Sequence, residues 1–160
     1  MRSMTVACVG KLKEKWLRDA CAEYAKRLGG FCRLTVIEVE EERIPDKPSA
    51  AQIEAGLKAE GVRLISKAGS GSYRCALCIE GKGMSSTQLA DHLDNLAVNG
   101  QGDVIFFIGG SWGLSPEVKA AADLCLSMSV MTFPHRLARV MLLEQLYRTR
   151  QISSGGKYHK

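Results

Sequence analysis

Residues 104–129, VIFFIGGSWGLSPEVKAAADLCLSMS, decide the fold. Val104 to Ile108 is apolar without interruption. A strand with no polar face is buried on both sides, as in a parallel sheet with helices packed above and below it. Gly109-Gly110 ends the run, and Ser115-Pro116-Glu117 has the order of an N-cap, a first-turn proline and a first-turn acid. The pattern predicts a short helix to about Asp123 and a last strand through Ser129.

Toward the N-terminus the same alternation repeats. Met4 to Val9 reads as a strand ending at Gly10. Trp16, Leu17, Ala20, Cys21, Tyr24 and Leu28 fall on one helical face, with Gly29-Gly30 as the stop. A second strand spans Cys32 to Glu40, followed by the charged loop EEERIPDKP. Ser49 with Gln52, and Ser85 with Gln88, have the spacing of capping boxes, which opens helices reaching about Ile65 and Leu96. Between them Arg74 to Glu80 is a third strand, and Gly81-Lys82-Gly83 reads as a turn. No repeat, low-complexity block or long linker divides the chain, so residues 1–160 are expected to form one domain. Strand order is not readable from the alternation.

The six cysteines lie in apolar periodic segments, and neither a secretory signal nor a long apolar run is present. These features predict free thiols in the reducing cytoplasm and no membrane segment. Cys75 and Cys78 have the spacing of half a zinc site, but on a strand side chains three apart point to opposite faces. No second pair completes a tetrahedral set, so no metal is expected.

Charge is uneven. Phe133 to Lys160 carries Arg136, Arg139, Arg148, Arg150, Lys157 and Lys160 against the single acid Glu144, while the rest of the chain is formally neutral. A localised cationic face suggests a polyanionic partner, nucleic acid before an acidic membrane. In the same region Pro134 stands at a first-turn position, opening a helix with His135 and Arg139 four apart on one face. The glycine turn at 109–113 lies where open α/β sheets bind ligands, although a plain strand-to-helix turn explains it equally well.

IGGSWGLSPEV, LSMSVMTFPHRLARVMLLEQLYR and the terminal KYHK resemble the small SPOUT-superfamily methyltransferases of the ribosomal large subunit methyltransferase H family, which methylate N3 of a pseudouridine in 23S ribosomal RNA. The likeness runs from MTVACVGKLK through CIEGKGMSSTQLA and is densest after Val104. It implies a Rossmann-like parallel α/β sheet with a C-terminal trefoil knot, a homodimer, S-adenosylmethionine as methyl donor and the assembled ribosome as substrate. By position, it places the cofactor among Leu77, Gly109, Met128, Ser129, Val130, Met131, Thr132 and Phe133.

Methylating a ring nitrogen requires removal of its proton or stabilisation of the anion left behind. His135, Arg139, Tyr158 and His159 are the candidates, since histidine titrates near neutrality and arginine stays charged. The resemblance also implies that the tail of one subunit completes the partner's site, reached through the flexible stretch Ser153-Ser154-Gly155-Gly156. Two other readings stand beside this one. A knotted methyltransferase could act on transfer RNA or another rRNA position, and a ribosome-binding protein could use the basic tail without chemistry.

Overall fold

A computed structural model describes residues 1–160. Strands and helices alternate as β1 (Ser3–Val9), α1 (Lys15–Leu28), β2 (Arg33–Val39), α2 (Ala50–Ile65), β3 (Tyr73–Gly83), α3 (Ser86–Val98), β4 (Asp103–Ile108), α4 (Pro116–Ala120), β5 (Leu124–Ser127) and α5 (His135–Ser153). The strands form one parallel sheet in the order β2-β1-β4-β3-β5.

The apolar run at Val104–Ile108 occupies the middle of that sheet, and its alternate side chains feed two cores. Met4, Val6 and Cys8 of β1 join Val104, Phe106 and Ile108 of β4 under α1, α3 and α5. Ala7, Val9, Ile105 and Phe107 face the other way, against Leu64 of α2 and Val118 of α4. Phe106 and Phe107 are both fully buried. Truncating either to alanine is expected to cost roughly 3–5 kcal/mol. No helix is long and apolar enough to cross a membrane.

Both capping boxes form. Ser49 Oγ accepts from the Gln52 amide at 3.2 Å while Gln52 Oε1 accepts from the Ser49 amide at 2.8 Å, and Ser85 and Gln88 repeat the exchange at 3.1 and 2.8 Å. Ser115 caps α4 by accepting from the Val118 amide at 3.2 Å. Helix α4 stops at Ala120 and β5 at Ser127, each a little short of the sequence expectation.

Two departures are larger. Gly81-Lys82-Gly83 is part of β3 instead of a turn. That strand pairs with β5 through Leu77, runs out of register, and pairs again through Lys82 and Gly83. Gly81 passes so close to β5 that a β-carbon on it would stand 2.6 Å from the Cys125 carbonyl oxygen, a contact only glycine tolerates. Trp16 also leaves the buried stripe of α1. It is 64% exposed while Leu17 and Leu28 are buried, because the inward face follows the 17, 21, 24, 28 spacing and Trp16 sits one residue, about 100°, off it.

Candidate functional site

The second half of β3 and the loops that follow β4 and β5 enclose a cleft of about 750 Å³. Its size falls within the range of small-molecule sites. Leu77 to Glu80 form one wall, the loop Gly109 to Leu114 a second, and Leu126, Met128, Ser129 and Met131 to His135 the third. Leu77, Gly109, Met128, Ser129, Met131, Thr132 and Phe133 therefore line one space, whereas Val130 is 91% exposed and is not part of that lining.

Local chemistry holds the loops in shape. The Gly113 amide donates to the Gly110 carbonyl at 3.0 Å, and Gly113 has φ +83°, which closes the turn after β4. A β-carbon on Gly109 would overlap the Gly113 carbonyl and stand 2.9 Å from the Leu114 amide nitrogen. Gly109 is thus required by the turn's own backbone, a different reason from the ligand approach that the sequence suggests. In the third wall, Ser127 Oγ donates to the Ser129 carbonyl at 2.9 Å, and Ser129 Oγ accepts from the Met131 amide at 3.0 Å.

His135 opens α5 immediately after Pro134 and reaches the cleft. Burial lowers its pKa below the ordinary value; the positive charges of Arg136 and Arg139 push the same way and Glu41 opposes them. The imidazole is accordingly neutral near pH 7 and free to accept a proton. The first turn of α5 has no acidic residue and no side-chain cap, so its amides add positive potential at the same end.

No group of three His, Cys, Asp or Glu side chains is arranged to hold a metal ion. All six cysteines are free thiols, Cys75 buried in the core beneath α3 and α5 and Cys78 at the cleft wall.

The family model described as "Predicted SPOUT methyltransferase" matches residues 2–159. The chain belongs to the SPOUT methyltransferase family. It is 48% identical over 152 residues to the ribosomal RNA large subunit methyltransferase H of Streptococcus thermophilus (strain CNRZ 1066), an alignment covering 95% of this chain and 96% of that protein. The Clostridioides difficile (strain 630) protein of the same name is 44% identical over 158 residues, covering 99% of each. Among solved structures, a putative methylase family protein from Neisseria gonorrhoeae superposes with a TM-score of 0.52 at 15% identity, covering 91% of this chain and 82% of that one, a likeness of fold.

Within this SPOUT methyltransferase, the remaining candidate residues lie away from the cleft. Arg139 is 4% exposed and holds the scaffold, donating to Glu38 Oε2 at 2.8 Å and to the Gly10 carbonyl at 3.0 Å. Tyr158 folds back on α5. Its hydroxyl donates to Glu144 Oε1 at 3.1 Å, its ring packs edge-on against Tyr147, and Arg148 lies 4.7 Å above it. Burial foremost, with Tyr24 and Glu144, holds the Tyr158 phenol protonated, its pKa pushed up to about 12. His159 Nδ1 is 3.5 Å from Arg148. Glu144 is nine residues beyond His135, roughly 14 Å along the helix, so the docked tail and the cleft are separate.

The cleft also contains Ser111 and Trp112 of the 109–113 turn, and two residues that the sequence did not mark, Glu80 and Lys119, which pair with each other. Nothing local announces that pair, whose members are 39 residues apart.

Proposed function

We propose that this methyltransferase, acting as a cytoplasmic homodimer built from one domain over residues 1–160, methylates N3 of a pseudouridine in 23S rRNA on the assembled ribosome. S-adenosylmethionine is the methyl donor of the family, supplying an electrophilic methyl group on a sulfonium. The cleft fits that group. Leu77, Ile108, Leu126, Met128 and Phe133 supply apolar walls for a purine, and the two loops at 109–114 and 128–133 supply backbone donors and acceptors for its edge.

The observation that carries the reading is the neutral His135 at the mouth of this cleft, on the uncapped first turn of α5. N3 of a uracil ring becomes a nucleophile only when its proton leaves. With bound S-adenosylmethionine supplying the methyl group, the His135 imidazole would take the N3 proton, and the α5 amides would meet the negative charge on the flanking ring oxygens. Tyr158 and His159 belong to a second step of the proposal. Their distance from the cleft of their own subunit supports a tail that swings across a dimer interface to close the partner's cleft. The C-terminal trefoil knot that the family resemblance implies is part of the same proposal.

Incubating the protein with methyl-labelled S-adenosylmethionine and 70S ribosomes tests the function. Label should appear in 23S rRNA as 3-methylpseudouridine on nucleoside analysis, and ribosomes lacking the pseudouridine should accept none. Label on transfer RNA, or binding without label, would replace the reading with another.

A further inference from the structure

The cations that make the C-terminal region basic are largely engaged inside the protein. Arg136 pairs with Glu14 at 3.3 Å, Arg139 with Glu38, Arg148 with Glu144, and Arg150 with Asp94 at 2.8 Å. The charge that faces solvent beside the cleft therefore has to be sought elsewhere, and the β1–α1 loop, Gly10 to Glu14, supplies it.

That loop is a rigid platform fastened to the start of α5. Gly10 offers its carbonyl to Arg139, and Glu14 is held by Arg136, the residue after His135. Leu12 is 8% exposed and pins the centre, while Arg18 Nη1 donates back to the carbonyls of Leu12 at 3.2 Å and Lys13 at 2.5 Å. Between these anchors Lys11 and Lys13 point to solvent, and neither takes part in any ion pair of the chain. One residue into α1, Trp16 stands 64% exposed, more than any other aromatic side chain in the protein. The acid of the loop, Glu14, is turned toward Arg136, and the first turn of α1 contains no other acid.

The geometry points to this loop and Trp16 as a binding surface for single-stranded RNA, engaging substrate nucleotides that flank the one placed in the cleft. Fixed lysines beside an exposed indole match the two needs of an unpaired strand: cations for phosphates and a flat apolar face on which a base stacks. Trp16 is left largely uncovered by its own chain, and the surrounding positive charge selects a polyanion. The assignment rests on rRNA being the substrate.

Methyl transfer to 70S ribosomes by K11Q/K13Q and by W16A tests it, alongside S-adenosylmethionine affinity by calorimetry and oligomeric state by sedimentation. The lysine variant should raise KM for ribosomes at unchanged kcat, and lower the slope of log affinity against log salt by about 1.4, near 0.7 for each lost contact. Trp16→Ala should weaken ribosome binding roughly five- to a hundredfold, and Trp16→Phe should restore most of it. Cofactor affinity and sedimentation should not move. Unchanged KM and salt slope in folded variants would overturn the surface, and loss of the oligomer in W16A would reassign it to contact between copies. Failure of the wild-type protein to label ribosomes at all would instead remove the substrate reading.

Discussion

Arg139 Nη1 meets Glu38 Oε2 at 2.8 Å, joining the first turns of α5 to the end of β2, and the same guanidinium holds the Gly10 carbonyl at the end of β1. One buried cation thus fixes the helix that presents His135 relative to two strands. Replacing Arg139 with methionine leaves Glu38, the Gly10 carbonyl and the helix without that link. Since Glu38 is 37% exposed and can rehydrate, the loss should be about 2–3 kcal/mol, below that of a fully buried pair. Thermal unfolding of R139M, E38Q and the double variant checks this. The two single costs should sum to more than the double, and equal additivity would show that the pair is not coupled.

The neutral state of His135 gives a pH dependence with a definite sign. Its folded pKa lies below 6.5, so the imidazole is unprotonated at pH 7 and becomes charged only as acidity increases past that depressed value. Methyl transfer should therefore be level through neutrality and fall on the acid side. His135→Gln should lower kcat about a hundredfold or more and abolish that acid limb. The histidine also contributes stability that is present above its unfolded pKa and lost as pH falls through the folded one. A surviving acid limb in H135Q would assign the proton to another group.

Gly109→Ala should damage the cleft without unfolding the sheet. The added carbon strikes the backbone of Gly113 and Leu114, so the turn has to open, while Phe106 and Phe107 remain packed. We expect far-ultraviolet circular dichroism close to wild type and at least tenfold weaker S-adenosylmethionine binding by calorimetry, a change of about 1.4 kcal/mol. Gly83→Ala is the control, because nothing lies within 4 Å of the carbon it adds.

The tail can be assigned to one cleft or the other by mixing. A subunit lacking Lys157 to Lys160 keeps its cleft, and a G109A subunit keeps its tail. If the tail crosses, the heterodimer has one complete site, formed by the intact cleft of the first and the tail of the second, and activity should recover to about half of one normal dimer. A tail serving its own subunit yields no working site. Reconstitution after mild denaturation, with heterodimers separated by affinity tags, distinguishes the two.

What was legible in the sequence was what neighbouring residues decide. Ser49 with Gln52 and Ser85 with Gln88 are three apart, and their capping boxes formed as the spacing required. The apolar run at Val104–Ile108 declared a strand buried on both faces, and it lies at the centre of the sheet. Relations between distant residues could not be read. Gly81 looked like a turn residue because the Cys125 carbonyl it must pass is 44 positions away. The basic tail looked free because Glu14, Glu38 and Asp94, which face its arginines, lie far from it along the chain, in the β1–α1 loop, β2 and α3. Part of the cleft wall was legible through resemblance, yet Glu80 and Lys119 meet only after β3 and α4 are in place.

The strand order has a consequence for synthesis. β1 lies between β2 and β4, and its inner neighbour begins one hundred residues later. A chain emerging at about 5–20 residues per second can zip β1 to β2 early, but the β4 edge of that ribbon then waits several seconds for its mate. During that interval Met4, Val6 and Cys8 have no Val104, Phe106 or Ile108 to cover them. β1 is thus a sticky nascent edge until β4 emerges, and codon tempo or chaperone contact over residues 40–100 should govern how much newborn protein escapes aggregation.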